Sequence, residues 1–210
     1  MTPQSDPRAV VFVIDDDVSL REGMQRLFRS VGLQAEVFGS TAEFLNRKPV
    51  DGPCCLVLDV RLPGLSGLDF QTELSNADIR IPIIFMTGHG DIPMTVKAMK
   101  AGAIEFLPKP FRDQDMLDAV RLGLERDRTR REGDGAAADL RAKYASLTAR
   151  EQEVMGFVTA GLMNKQIAGE MKLAEITVKL HRGSVMRKMG AKSLAELVRM
   201  ADIVGMHRKY

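Results

Sequence analysis

Tryptophan is absent from this 210-residue chain, and tyrosine and cysteine occur only twice each. Cys54 and Cys55 are adjacent inside an apolar run, so they supply neither a disulfide framework nor a spaced zinc-ligand set. They are expected to be core strand residues in a reducing, cytoplasmic setting. Long hydrophobic runs are missing too. No stretch approaches the roughly 18 residues that span a bilayer, and the segment MTPQSDPR lacks the basic and apolar regions of an export signal. Neither membrane insertion nor secretion is expected. Net charge is small, +2, which alone excludes little. A hydrophobic content of 45% is that of a folded chain and excludes disorder as a whole.

The near-zero total conceals an asymmetry. Residues 1–124 carry 13 basic and 17 acidic side chains, residues 125–146 carry 6 and 5, and residues 147–210 carry 11 and 6. An acidic front and a basic back predict different partners, although ordinary surface charge could produce the same balance. The length suits two domains. The predicted division is 1–124, a charged and partly helical linker at 125–146 with a flexible break at Gly133-Asp134-Gly135, and 147–210.

From residue 9 short apolar runs alternate with helical periods: AVVFVI, LREGMQRLFRSVG, QAEVF, TAEFL, CCLVL, GLDFQTEL, PIIFM, IPMTVKAMKAG, AIEFL and DMLDAVRLGLE. Five strands alternating with five helices are predicted. Continuously apolar strands are buried on both faces, which implies an α/β, doubly wound parallel sheet covered by helices. Beyond 147 no strand-like run occurs, and four helices are predicted at 149–160, 164–171, 175–189 and 193–205. Thr148, Asn164 and Ser193 are candidate caps at helix starts, Gly161 and Gly190 at helix ends.

Ligands of such sheets lie at the carboxyl ends of the strands. The first strand ends in Asp15, Asp16 and Asp17, the third in Asp59, the fourth in Thr87, and the fifth leads to Lys109 and Pro110. Carboxylates gathered at close range repel unless a cation neutralises them. Magnesium suits oxygen ligands, with Asp16 and Asp59 direct and Asp15 through water. Lys109 and Thr87 could then hold a phosphoryl group moving onto a carboxylate.

The runs VFVIDDD, CCLVLD with VRLPGLSG, IIFMTGHGD and KAGAIEFLPKPF resemble, in order, the receiver domain of two-component response regulators. The resemblance implies a flavodoxin-like sheet of strand order 2-1-3-4-5. It implies that Asp59 accepts a phosphoryl group from a sensor histidine kinase. Asp15, Asp16 and the backbone carbonyl of Arg61 would join Asp59 in holding Mg2+, while Thr87 and Lys109 bind the phosphoryl group. Phe106 matches the family's switch aromatic, and the Lys109–Pro110 bond matches one usually cis. Asp17 is expected to be an exposed extra carboxylate. His89 and Asp91 suit either tuning of the pocket or plain solvation.

In the second region, NKQIAGEMKLAEITVKLHRGSVMRKMG reads as helix, turn, helix. With Val178, Val185 and Met189 inward, Ile176, Lys179, Leu180, Gly183 and Arg187 fall on the outer half, flanked by Thr177, Ser184 and Lys188. Periodicity alone leaves open a small helical domain with a solvated basic face. The span from LTAREQEVM to LAELVRMA resembles the LuxR-type DNA-binding domain, and its pairing with a receiver resembles the NarL/FixJ subfamily. The resemblance implies that Lys179, Leu180 and Gly183 face bases, that Lys165, Thr177, Lys188 and Lys192 face phosphates, and that Glu151 is structural. Two departures stand out. Ala174 replaces a frequent serine cap, and Gly183 offers no side chain for readout.

The expected function is a transcription regulator that dimerises on phosphorylation, with promoter DNA, the sensor kinase and RNA polymerase as partners and no membrane. Two alternatives compete with it. A phosphohydrolase of the haloacid dehalogenase type needs a second Asp where Arg61 stands. A constitutive DNA-binding protein would use the receiver only for docking.

Overall fold

The computed structural model describes residues 8–88 and 92–206; His89 and Asp91 lie outside the described residues. The first compact unit, to Arg131, alternates β1 (Val10–Ile14), α1 (Val18–Ser30), β2 (Gln34–Phe38), α2 (Thr41–Leu45), β3 (Cys54–Asp59), α3 (Gly67–Asn76), β4 (Ile83–Thr87), α4 (Ile92–Lys100), β5 (Glu105–Pro108) and α5 (Asp113–Ala145). All strand pairs are parallel and the order is β2-β1-β3-β4-β5. The predicted doubly wound sheet is thus observed. β1, β3 and β4 are buried along their whole length. The edge strands β2 and β5 are only partly buried, because each has a neighbour on one side alone.

Successive side chains of the central strands go to opposite faces. Val11, Val13, Cys55, Val57, Ile84 and Met86 meet α1 and α5 through Met24, Phe28, Met116 and Val120. Phe12, Ile14, Leu56, Leu58 and Phe85 meet Phe44, Phe70, Leu74 and Ala98 of α2, α3 and α4. Cys54 and Cys55 are free and buried in this core.

Helix α5 corrects one expectation. No break occurs at Gly133-Asp134-Gly135, and the helix runs on to Ala145. Each glycine costs about 1 kcal/mol relative to alanine, but no proline interrupts the hydrogen bonding, and Ala136–Ala138 downstream are strong helix formers. The compact units divide between Arg131 and Glu132.

The second unit comprises the end of α5 followed by α6 (Ala149–Thr159), α7 (Asn164–Met171), α8 (Glu175–Met189) and α9 (Leu194–Ile203). Val154, Val158, Ile167, Val178, Val185 and Leu197 centre its core. Thr148 and Ser193 cap α6 and α9 as expected, and Gly190 ends α8 in the left-handed conformation. Asn164 does not cap. Met163 holds that position, its N–H donating to Gln166 Oε1 at 2.8 Å. The Asn164 side chain instead accepts from Arg182 at 3.0 Å. Among the described residues no helix is long and apolar enough to cross a membrane.

Candidate functional site

Parallel pairing aligns the strand ends. Register places Asp59 beside Met86 and Thr87 beside Pro108, and the Lys109 N–H donates to the Thr87 carbonyl at 2.7 Å. The pocket so formed brings carboxylate oxygens of Asp15, Asp16 and Asp59 within 4.8 Å of one another. Asp15, Asp59 and Thr87 are buried, Asp16 exposed. Lys109 Nζ reaches between the carboxylates, 2.6 Å from Asp15 Oδ2 and 3.2 Å from Asp59 Oδ2. The Lys109–Pro110 bond is cis. Phe106 packs inward, its ring 6.2 Å from that of Phe85.

Burial raises the Asp59 carboxyl above its ordinary value; Lys109 opposes this and Asp15 reinforces it. Burial pulls the Lys109 ammonium down, yet its contacts with Asp15 and Asp59 outweigh that and hold it above its ordinary value. The donor set consists of oxygens with excess negative charge, which fits magnesium. Lys109 supplies one positive charge to two of these three carboxylates.

Two residues without an assigned role in the sequence, Arg21 and Gly67, shape this pocket. Arg21 donates to the Asp15 carbonyl at 2.6 Å, fixing the peptide between the two acidic ligand candidates. Gly67 starts α3 against the backbone of Asp59, where a Cβ would lie 2.4 Å from the Asp59 carbonyl oxygen. Its position in LPGLSG was visible, its contact was not. Asp17, read as an exposed extra, caps α1 by accepting from the N–H groups of Ser19 and Leu20 at 2.8 and 3.2 Å. Arg61, exposed beyond β3, turns its backbone N–H to Asp59 Oδ1 at 3.3 Å.

In the second unit the inward residues of α8 are Val178, Val185 and Met189. Ile176, Lys179, Leu180, Gly183 and Arg187 are exposed, with Thr177, Ser184 and Lys188 half-buried on the flank. Lys165 and Lys192 are exposed. Ala174 precedes α8 without a side-chain cap. Lys188, expected to face phosphate, is paired within the unit. Its Nζ is 2.6 Å from Glu151 Oε2, because the buried Glu151 carboxylate needs a cation. Glu151 also accepts from the Thr148 N–H at 2.8 Å.

The Lys188 hydrogen bond, with Thr148, lowers Glu151 from its ordinary value of 4.5 to about 2. A depressed carboxyl contributes stability above its unfolded pKa and loses it as pH falls towards the folded one. The advantage of the wild type over Glu151→Gln in denaturant unfolding should therefore be constant from neutrality to about pH 5 and shrink below pH 4.5. An undiminished advantage at about pH 3 would contradict this account.

Residues 11–121 match the family described as response regulator receiver domain, and residues 145–201 match bacterial regulatory proteins of the luxR family. The chain is 58% identical over 202 residues to nodulation protein W of Bradyrhizobium diazoefficiens, covering 96% of this chain and 89% of that protein. It is 46% identical over 198 residues to response regulator protein TmoT of Ectopseudomonas mendocina, covering 94% and 90% respectively. Among solved structures it is similar to response regulator StyR, with a TM-score of 0.83, 50% identity, and 93% and 98% of the two chains covered.

Proposed function

The chain belongs to the two-component response regulators of the NarL/FixJ subfamily, a receiver domain followed by a LuxR-type DNA-binding domain, and from that membership we propose that phosphorylation of Asp59 controls promoter binding. The observation that carries this reading is the buried Asp59 at the end of β3, with Lys109 Nζ at 3.2 Å and Asp15 and Asp16 alongside.

The phosphoryl donor is a sensor histidine kinase. An Asp59 carboxylate oxygen forms the new bond to phosphorus as the bond to the kinase imidazole breaks, leaving an acyl phosphate and a neutral histidine. Lys109 offsets charge on the transferred group, and the Thr87 hydroxyl at the neighbouring strand end donates to it. Asp15, Asp16, Asp59 and the Arg61 carbonyl would hold Mg2+, whose charge disperses that of the phosphoryl oxygens. Arg61 occupies the place where a phosphohydrolase of the haloacid dehalogenase type would carry its general acid, so that acid is not supplied for turnover. Phe106 then couples Thr87 to the α4–β5 side of the receiver.

A phosphoryl group shifts a conformational equilibrium only by its different interaction with the two states. The favoured state dimerises, and the dimer presents two α8 helices to a two-fold site on double-stranded promoter DNA. Lys179, Leu180, Gly183 and Arg187 face bases, while Lys165, Thr177 and Lys192 face phosphates. RNA polymerase is the partner of the bound dimer, and the cytoplasm is its compartment. Solution mass and duplex affinity, measured with magnesium before and after addition of acetyl phosphate, test this directly. Both should rise together. A receiver that only docks other proteins would leave both unchanged.

A further inference from the structure

We infer that the outer face of α8 reads the C5-methyl groups of thymine through Ile176 and Leu180, a step that rests on α8 being the major-groove helix. Ile176 is 64% and Leu180 67% exposed. Scattered exposed aliphatics are ordinary on any protein. These two differ in their company, because they stand one helical turn apart on a face otherwise made of Lys179, Gly183 and Arg187, all exposed. The cations suit a polyanion. The apolar surface between them suits a polyanion that carries an apolar feature at the same depth. The major groove of DNA offers one such feature, the thymine methyl.

Gly183 strengthens the case. A Cβ built there meets nothing within 4 Å, so packing within the chain does not require glycine, although glycine costs about 1 kcal/mol in a helix. What a bare backbone permits is a closer approach to something outside. Short aliphatic side chains can then touch base edges that a long side chain at position 183 would hold away. At 1.5 Å rise per residue the two side chains are spaced about 6 Å along the helix, roughly two base-pair steps. The preferred half-site therefore contains two thymines within about two steps of each other.

The test uses the full chain. Its preferred duplex is selected from a random pool, and each thymine is replaced singly by deoxyuridine, which removes only the methyl group. Wild-type binding should weaken about fourfold at each of two nearby positions. Leu180→Ala should abolish the penalty at one and Ile176→Ala at the other. Both variants should melt as the wild type does, since neither side chain is buried. Indifference of the wild type to every deoxyuridine, or an undiminished penalty in both variants, overturns the inference while leaving DNA binding intact. Failure to select any duplex overturns the assignment of α8 itself, and this inference with it.

Discussion

Asp59→Asn protein takes up no phosphoryl group from a kinase or acetyl phosphate, and its solution mass and duplex affinity stay at the unphosphorylated level. The asparagine amide keeps the shape of the side chain but has no carboxylate oxygen to attack phosphorus, so the acyl phosphate cannot form. The same substitution stabilises the fold. Burial, together with repulsion from Asp15, outweighs the attraction of Lys109 and raises the Asp59 carboxyl, so an ionised Asp59 is an unfavourable feature of the folded receiver at neutral pH. Removing that charge should raise the melting temperature of magnesium-free protein, each 1 kcal/mol corresponding to roughly 2–4 °C for a chain of this size. Lost function with gained stability is the signature of a strained functional group. A variant that still dimerises and gains DNA affinity under phosphodonor would move the site elsewhere. If the wild type were equally unresponsive, the receiver would be a docking module.

Much of this arrangement was legible in the sequence because parallel sheets write their chemistry at strand ends. Once VFVI, CCLVL and PIIFM were read as buried strands, Asp15, Asp59 and Thr87 had to converge on one edge. The helices after residue 147 were legible through the caps at Thr148, Gly190 and Ser193, whereas Asn164, read as the start signal of α7, does not cap. Contacts between distant side chains were not legible. Periodicity put Lys188 on the flank of α8 but could not reveal its partner, Glu151, 37 positions earlier. Nor could it show that a Cβ on Gly67 would strike the Asp59 carbonyl. A pattern fixes which face a residue occupies, whereas a partner depends on packing between elements. The charged run after residue 124 shows the same limit: composition describes a charged, partly helical linker, while Asp127 within it accepts from the Cys54 N–H at the start of β3.

Asp127 lies in that run, and replacing it with alanine should destabilise the receiver by about 3 kcal/mol. Its side chain is completely buried. It accepts the Cys54 N–H at 2.9 Å and the Arg131 guanidinium at 2.6 Å, with Arg130 as a third donor. Arg131 reaches on to the Val50 carbonyl at 3.4 Å. One carboxylate thus ties the extension of α5 to the start of β3. Burial alone would raise the Asp127 carboxyl, but the hydrogen bonds from Arg130, the Cys54 N–H and Arg131 outweigh it and hold the group below its ordinary value. Alanine strands the buried Cys54 N–H, at about 1–3 kcal/mol. It also leaves a small void and releases two guanidiniums that are only partly exposed, so they can rehydrate. The sum corresponds to a fall of roughly 6–12 °C in the receiver transition. Asp127→Asn keeps an acceptor for Cys54 and should lose about half as much. The depressed carboxyl contributes its stability above the ordinary aspartate range and loses it as pH falls through the lowered value. The difference between wild type and Asp127→Asn should narrow in that window and be constant above it. Melting of Asp127→Ala within about a degree of wild type would show that the α5 extension is held by other contacts, and that this buried carboxylate is an incidental neighbour of β3.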